Sequence, residues 1–261
     1  MYKPSYLNLS SISKFNREDS KTLLSLLAQY GSVLIDQVNI DDTTSCPEKL
    51  ARVGVVFGSP IFHRLSDSNG VHPIRNIPSY PEYANTTNAD LNMHTDGAFE
   101  DSPPKIMLIY CDNPSEVGVY TRVCDGLDIY RYVKSLGQDI LDGLFLPNAF
   151  FVKRDDRKKT TSVFRKVGDR IQITYRYGSD IVIDIHPKAR PGFEAIEYFL
   201  TRPDKYVEFK LNRNQIFVFD NTRVLHGRTA FPGDSDRSLY GLWCDGKSVG
   251  LSNFPFGFED K

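Results

Sequence analysis

The chain has 261 residues, of which 40% are hydrophobic and 25% charged, and its formal net charge is −1. This is the composition of an ordinary globular protein, and the balanced charge gives no electrostatic footprint for nucleic acid or an anionic membrane. Four scattered cysteines without a Cys-x-x-Cys pair predict free thiols in a reducing compartment. The N-terminal residues lack the apolar core of a signal peptide, and no apolar run reaches the length of a membrane span, so we expect a cytoplasmic protein.

The first part of the chain predicts two helices and one short strand. A stripe of leucines predicts a helix over residues 17–30, with Asn16 as its cap and Gly31 as its end. Residues 33–35 form a short apolar run that predicts a strand. A second helix is expected over residues 47–57, where a proline stands at its start.

Residues 63–92 have a different character. They contain three prolines and many Ser, Asn and Thr residues, which is typical of a long irregular segment. Long loops in compact domains often form functional lids, so the sequence leaves two interpretations open, a lid and a plain surface excursion. The basic run over residues 153–160 predicts a second loop, solvated or part of a lid.

From residue 105 onward the chain is rich in strand signals. Candidate strands are residues 106–111, 119–123, 150–153, 162–166, 170–177, 181–185, 206–211, 215–219 and 238–243, and candidate helices are residues 127–144 and 192–200. Many strands with few helices predict a mostly β fold with flanking helices, in which two sheets pack as a jelly roll. We expect residues 1–261 to form a single domain.

Three side chains in two separate segments carry a metal hypothesis. His94 and Asp96 are two residues apart, and in a strand such residues point to the same side. His226 follows the strand-like run 216–220 and a turn-like Asp-Asn pair. Two imidazoles and one carboxylate can bind one face of an iron(II) ion and leave the other face open. The ligand types alone leave a zinc site or a satisfied polar cluster as alternatives.

Two more positions accompany this pattern. Arg237 lies eleven residues after His226, at the head of a strand-like run. A guanidinium forms two parallel hydrogen bonds with a carboxylate, although this arginine could also be a surface residue paired with Asp234 or Asp236. Thr121 follows a Gly-Val-Tyr stretch and could add one hydroxyl donor.

With these five positions in order, the chain resembles the iron(II)/2-oxoglutarate-dependent dioxygenases of the TauD/TfdA (taurine dioxygenase-like) class. Its tail is also similar to the γ-butyrobetaine hydroxylase branch of that class. The resemblance covers nearly the whole chain and implies a double-stranded β-helix. It implies that His94, Asp96 and His226 hold Fe(II), with 2-oxoglutarate and O2 as co-substrates. It also implies that Arg237 and Thr121 contact one carboxylate of 2-oxoglutarate.

The chain departs from the family pattern in informative places. The family often has two glycines and an acid before its threonine, whereas residues 118–120 here are Gly-Val-Tyr. Taurine dioxygenase holds its sulfonate with an arginine four residues after the co-substrate arginine, and that position is Gly241. Taurine is therefore not the expected substrate. Halogenating relatives replace the carboxylate ligand by Gly or Ala, so the presence of Asp96 argues against halogenation.

The residues that would recognise the substrate are less clearly marked. Arg176 could bind a carboxylate, sulfonate or phosphonate, and Tyr175 or Tyr177 could enclose a cationic amine. Asn92, two residues before the first metal ligand, is a further candidate for the pocket. Arg228 could orient the distal histidine or line the pocket. Each of these residues could instead belong to a half-exposed strand.

The sequence therefore predicts a hydroxylase of a small polar metabolite, such as an amine, an amino acid or a related acid, that releases succinate and CO2. Two alternatives stay open. One is a natural-product tailoring oxygenase that desaturates or cyclises its substrate, and the other is a non-catalytic small-molecule-binding protein on a jelly-roll scaffold. A small molecule is the expected partner, with no nucleic acid and no membrane, and a homo-oligomer is compatible with the sequence.

Overall fold

The structure is a computed structural model that describes residues 2–37, 44–81, 83–116 and 118–260. Strands dominate these residues, as the sequence predicts. In chain order they are β1 (Ser5–Leu9), β2 (Ser32–Gln37), β3 (Pro60–Ile61), β4 (Val71–Ile74), β5 (Leu91–His94), β6 (Ile106–Asn113), β7 (Thr121–Asp125), β8 (Phe150–Arg154), β9 (Arg157–Thr161), β10 (Phe164–Val167), β11 (Arg170–Ile173), β12 (Val182–Ile185), β13 (Val207–Phe209), β14 (Ile216–Asp220), β15 (Val224–Arg228) and β16 (Ser238–Cys244).

Helices accompany the strands. The α-helices of the described residues are α1 (Arg17–Tyr30), α2 (Cys46–Gly54), α3 (Gly126–Leu136), α4 (Gln138–Phe145) and α5 (Arg190–Leu200), and short 3-10 helices cover Ile12–Lys14, Val55–Phe57, Ala84–Thr86, Pro203–Lys205 and Val249–Leu251. The first helix has the predicted bounds because Asn16 and Asp19 form a capping box at its start, and Gly31, with a φ of 74°, ends it. No helix of the described part of the chain is long and apolar enough to cross a membrane.

Two sheets face each other, as the jelly-roll prediction requires. The larger sheet has the strand order β1-β2-β14-β6-β16-β3, with β4 also paired to β16, and the smaller sheet has the order β13-β7-β15-β5. The layer between them is apolar. It contains Met107 and Ile109 from the larger sheet and Val123 and Val224 from the smaller one. The predicted mostly β fold with flanking helices is confirmed.

The central strands of the larger sheet are buried on both faces. In β6, Ile106 and Leu108 pack with side chains of α1 and α2, whereas Met107 and Ile109 face the smaller sheet. A strand with two buried faces carries a continuous apolar run, which is why β6 and β14 could be predicted from sequence. The outer face of the smaller sheet packs with α3, α4 and α5.

Two predicted segments, residues 127–144 and 153–160, differ from the structure. The helix expected over residues 127–144 is divided into α3 and α4 because Gly137, with a φ of 139°, has a non-helical backbone. The loop expected over residues 153–160 is a hairpin of β8 and β9, in which Arg154 pairs with Arg157. The second strand of this hairpin has no apolar residue, so hydrophobic patterning could not reveal it.

The remaining differences lie near the cavity described below. The strand expected over residues 170–177 ends at Ile173, and residues 174–177 continue outside any sheet. The segment 63–92 is mainly irregular, as predicted, but its described residues include β4, one short 3-10 helix and the first residues of β5. Side chains from this segment line the cavity, so it forms a wall of the candidate site.

Candidate active site

The two predicted metal-binding histidines lie opposite each other on neighbouring strands of the smaller sheet. β15 runs antiparallel to β5, and His226 is the pairing partner of His94. Nε2 of His94 lies 3.3 Å from Oδ1 of Asp96, and Nε2 of His226 lies 3.6 Å from its Oδ2. The possible ligand atoms of the three residues all lie within 4.8 Å of one another. The structure therefore brings the predicted triad together.

Asp96 reaches the histidines by a different route from the one expected. β5 ends at His94, so strand alternation does not orient Asp96. Instead, Oδ1 of the buried Asn221 accepts a hydrogen bond from the Asp96 amide at 2.8 Å. The Nδ2 group of Asn221 donates to the carbonyls of Asp96 at 3.0 Å and Pro104 at 2.9 Å. Asn221 is thus a positioning residue, which the sequence indicated only as part of a turn.

A bulge between β5 and β15 decides which side chains of β5 reach the site. Three residue steps from Leu91 to His94 lie opposite two steps from Arg228 to His226, so the alternation of sides is interrupted. Leu91 and His94 both line the cavity. Asn92 is exposed and faces a separate surface depression. The expectation that Asn92 lines the pocket is therefore corrected.

The protonation states of the triad suit a divalent metal. Nδ1 of His94 lies 2.8 Å from the carbonyl of Asn92 and donates to it, which leaves Nε2 facing Asp96. Burial lowers the pKa of His226 to about 3. Burial opposes ionisation of Asp96, but the neighbouring His226 and His94 hold the pKa of its carboxyl below its usual range. Neutral imidazoles and an ionised carboxylate are the forms that bind metal.

Arg237 is buried on the same cavity, and no acid of the described residues pairs with it. Its exposed fraction is 6%, and its guanidinium carbon lies 5.2 Å from the centre of the Phe231 ring. Nη1 has no hydrogen-bond partner in the described part of the chain, and burial lowers the pKa of the guanidinium to about 10. Asp236 instead accepts hydrogen bonds from Asn113 at 2.8 and 3.1 Å. A buried guanidinium with an unused donor fits an incoming carboxylate.

Thr121 and Arg228 are direct pairing partners on β7 and β15, and both line the cavity. The Arg228 guanidinium is directed mainly at backbone carbonyls, those of Ala84, Thr87 and Ala89. It therefore ties the segment before β5 to the smaller sheet. Its guanidinium carbon also lies 4.8 Å from the centre of the Phe231 ring.

The three residues proposed to bind the substrate, Tyr175, Arg176 and Tyr177, do not all face the cavity. Arg176 lines the cavity. Tyr175 points to the other side, where it is buried with its ring centre 4.8 Å from that of Phe193, and Tyr177 lies on the same side. The expectation that the two tyrosines enclose a substrate is corrected, because alternation in this extended segment directs only Arg176 inward. Thr95 holds the segment through hydrogen bonds with the Tyr175 backbone.

An aromatic wall that the sequence analysis missed also lines the cavity. The ring of His72 lies 4.7 Å from that of His63 and 5.8 Å from that of Trp243. Burial lowers the pKa of His63 to about 4 and that of His72 to about 3, so both are neutral at pH 7. A Cβ atom at Gly241 would lie 2.5 Å from Nε2 of His72. The substrate arginine of taurine dioxygenase therefore has no room at position 241 while His72 stays in place.

Two further arginines line the cavity, Arg154 and Arg157 at the end of the β8–β9 hairpin. From the sequence they belong to a predicted loop, solvated or part of a lid. The run of charged residues gave no signal that distinguishes them from Lys153 and Lys158, which are exposed.

A family comparison agrees with this arrangement. The family model described as "Taurine catabolism dioxygenase TauD, TfdA family" matches residues 2–243. The chain belongs to this family. The predicted resemblance to the TauD/TfdA class is thereby confirmed.

Relatives of this TauD/TfdA member include enzymes with different named substrates. It is 22% identical over 185 residues to gamma-butyrobetaine dioxygenase of Homo sapiens, covering 61% of this chain and 45% of that protein. The chain thus spans less than half the length of that relative. It is 25% identical over 259 residues to uridine-5'-phosphate dioxygenase of a Streptomyces species, covering 91% of this chain and 93% of that protein.

Solved structures show the same fold. A structure of asparagine oxygenase in complex with Fe(II), hydroxyasparagine and succinate superposes with a TM-score of 0.72 and 15% sequence identity, covering 89% of this chain and 81% of that one. The non-heme iron oxygenase OrfP, in complex with Fe, succinate and hydroxyarginine, superposes with a TM-score of 0.68 and 16% identity, covering 89% and 82% of the two chains. The predicted jelly roll is confirmed by this likeness.

Metal binding should stabilise the folded protein, because only the fold brings the three ligands together. We expect Mn(II), as an air-stable probe, to raise the melting temperature of the metal-free protein. Asp96→Ala and His226→Ala should remove most of that rise, whereas His186→Ala, which changes a histidine outside the cavity, should keep it. Thermal unfolding with and without Mn(II) measures this, and equal rises in all four proteins would contradict the site.

The metal-free protein should lose stability as the pH falls below about 6.5. His63 and His72 stay neutral in the fold down to about pH 4 and about pH 3, whereas the unfolded chain takes up their protons near its ordinary histidine pKa. The stability that the two neutral histidines contribute is complete above the ordinary histidine pKa and declines as the pH falls below it. The free energy of unfolding, measured with urea at several pH values, should decline less steeply with falling pH in His72→Gln than in the wild type. The same pH dependence in both proteins would contradict the buried neutral state of His72.

Proposed function

We propose that the chain is an iron(II)- and 2-oxoglutarate-dependent dioxygenase that hydroxylates a small polar metabolite and releases succinate and CO2. One observation carries the proposal. A single cavity is lined by the His94, Asp96 and His226 triad and by Arg237. The buried Nη1 of Arg237 has no hydrogen-bond partner among the described residues. A metal site together with a guanidinium that lacks a carboxylate is what a metal-chelating keto acid with a second carboxylate requires.

The residues have distinct roles in this proposal. His94, Asp96 and His226 would hold Fe(II) through two imidazole nitrogens and a carboxylate oxygen. When bound, iron and 2-oxoglutarate would together supply O2 activation coupled to decarboxylation of the keto acid, and with it the oxidation of a substrate C–H bond. Asn221 keeps the Asp96 backbone in place through its three hydrogen bonds. The His94 tautomer is fixed by the carbonyl that accepts from its Nδ1.

Arg237 and Thr121 would bind the far carboxylate of 2-oxoglutarate. Burial strengthens a charge-assisted hydrogen bond, since water does not compete for the guanidinium. Arg228 would contribute indirectly, because its bonds to backbone carbonyls hold the cavity wall formed by residues 84–89. The wall would in turn keep bulk water away from the reacting atoms.

The substrate would enter on the side of the cavity where Arg176 lies. Burial leaves this side chain 4% exposed, and its charge acts on both Asp96 and His226. The names of the relatives and of the solved structures include a betaine, a nucleoside phosphate and two amino acids. Small polar molecules with at least one anionic group are common to these names, which supports a substrate of that class here.

We also propose that residues 1–261 act as one catalytic domain in the cytoplasm. One apolar core contains side chains from Leu7 to Leu251, so elements near both ends of the described chain pack together. The three buried cysteines, Cys111, Cys124 and Cys244, are free thiols, which is typical of a reducing compartment.

Removing the Arg237 guanidinium should weaken 2-oxoglutarate binding selectively. Loss of a partly buried charge pair costs on the order of 2–5 kcal/mol, so Arg237→Ala should reduce the affinity by roughly thirtyfold to several thousandfold. Thr121→Val should cost about 1 kcal/mol, because it removes one neutral donor. Calorimetric titration of the Mn(II)-loaded protein measures both effects, with the surface variant Arg213→Ala as control. An unchanged affinity in Arg237→Ala would place the co-substrate elsewhere.

Substrate-dependent release of succinate tests the proposed activity. A panel of amines, amino acids and phosphorylated metabolites should contain a compound that triggers succinate release only when Fe(II) and 2-oxoglutarate are present. Taurine should not, since His72 occupies the space beside Gly241. Asp96→Ala should release no succinate. A product heavier by one oxygen atom would indicate hydroxylation, whereas loss of hydrogen would indicate desaturation or cyclisation. Full activity of chelator-treated protein would contradict the proposal.

A further inference from the structure

Three arginines line the cavity as a group separate from the proposed 2-oxoglutarate site. Arg154 ends β8, Arg157 begins β9, and the two are direct partners at the tip of the hairpin. Arg176 comes from the extended segment after β11. We call these three residues the arginine cluster. Arg154 and Arg176 both pair with the carboxylate of Asp180, and Arg154 and Arg157 both lie beside the Phe99 ring, so the three guanidinium groups are close together.

The arginine cluster is buried to an extent unusual for arginine. The side chains of Arg154, Arg157 and Arg176 are 9%, 21% and 4% exposed. Their apolar surroundings include Phe99, whose ring centre lies 4.7 Å from the guanidinium carbon of Arg157 and 5.9 Å from that of Arg154. Burial lowers the pKa of the Arg154 guanidinium. Burying several cationic side chains carries a large desolvation free energy unless anions pair with them.

The acids that pair with the arginine cluster lie outside the lining of the cavity. Arg176 and Arg154 share the carboxylate of Asp180, and Arg157 pairs with Glu100 and, at 3.7 Å, with Asp155. None of these three acids is among the residues that line the cavity. Among the described lining residues the one carboxylate is Asp96, which belongs to the metal triad. The cavity-facing side of the cluster therefore presents a surplus of positive charge.

Two nitrogens of the cluster have unused hydrogen-bonding capacity. The Nε groups of Arg157 and Arg176 are buried and have no hydrogen-bond partner within residues 2–37, 44–81, 83–116 and 118–260. Buried donors are normally satisfied. The guanidinium groups of Arg157 and Arg176 thus each pair with an acid of the protein and have an Nε–H donor left for a further acceptor.

From these observations we propose that the arginine cluster is a subsite for a doubly charged oxyanion of the phosphate monoester type on the primary substrate. This inference rests on the proposed function, since it names the substrate class of that same site. A tetrahedral dianion presents three oxygens, which matches three convergent guanidinium groups better than the two oxygens of a carboxylate do. Because Arg176 lines the same cavity as Asp96 and the two histidines, the anion would hold the substrate in the cavity that contains the metal site.

The subsite is distinct from the position of 2-oxoglutarate. Arg237 and Arg228 form the other cationic group of the cavity, where both guanidinium groups face the Phe231 ring. Arg154 and Arg157 of the arginine cluster instead lie beside the Phe99 ring, so the two cationic groups are separate and two anions could bind one cavity without competing. The order of binding can therefore be tested with each anion separately.

Anion titrations of the full chain loaded with Mn(II) and 2-oxoglutarate test the proposal. Methyl phosphate is the probe, with acetate and methylammonium as comparisons, and binding is measured by calorimetry. We expect saturable binding of methyl phosphate and weaker binding of acetate. Arg157→Gln and Arg176→Gln should each weaken methyl phosphate at least about tenfold, the size of one charged hydrogen bond, while the affinity for 2-oxoglutarate stays the same.

Lys158→Gln is the matched control, because it removes a positive charge from the neighbouring, exposed position of the same strand. It should bind methyl phosphate like the wild type. If Arg176→Gln does not fold, Arg157→Gln and Arg157→Lys decide the question, and the lysine variant should recover only part of the affinity.

The outcomes distinguish this proposal from the function on which it rests. Normal 2-oxoglutarate binding without methyl phosphate binding, or equal weakening by Lys158→Gln, would overturn the subsite alone. Tighter binding of acetate than of methyl phosphate would overturn the doubly charged class. Absence of 2-oxoglutarate binding would instead overturn the proposed function. A phosphorylated substrate should trigger succinate release, whereas inorganic phosphate at the same subsite should only inhibit it.

Discussion

The pairing of His226 with His94 across β15 and β5 is the contact on which the rest of the site depends. β15 lies between β5 and β7 in the smaller sheet, so its register fixes the distal histidine against its partner and places Arg228 opposite Thr121 at the same time. A shift of one residue would turn every side chain of β15 to the other face. Asn221 completes the arrangement by holding Asp96, which lies beyond the end of the strand.

The cavity keeps polar groups that the protein itself does not satisfy. Among the described residues, Nη1 of Arg237 and the Nε groups of Arg157 and Arg176 are buried without a hydrogen-bond partner. Buried donors of this kind lower stability unless a ligand accepts their hydrogen bonds. The proposed co-substrate and substrate would each remove part of this cost, so binding and stability would be coupled in this fold.

The sequence revealed those features that depend on residue type and order. The bounds of α1 follow from its cap and its terminal glycine, and the assignment of the triad and Arg237 follows from ligand chemistry together with the resemblance to the TauD/TfdA class. Features that depend on tertiary contacts could not be predicted. The bulge opposite His226 excludes Asn92 from the cavity, and β9 forms through pairing with β8 although it has no apolar residue. His72 comes from a segment without periodicity, so only its contacts place it beside Gly241.

We propose that the triad and Arg237 bind one metal ion and one molecule of 2-oxoglutarate in the same cavity. An anaerobic titration of the iron(II)-loaded protein with 2-oxoglutarate tests this most directly, because chelation of iron by a keto acid produces a weak visible charge-transfer band. We predict that the band appears and saturates with one equivalent of 2-oxoglutarate, and that succinate, which lacks the keto group, does not produce it. Saturable binding of 2-oxoglutarate without any such band would contradict the account.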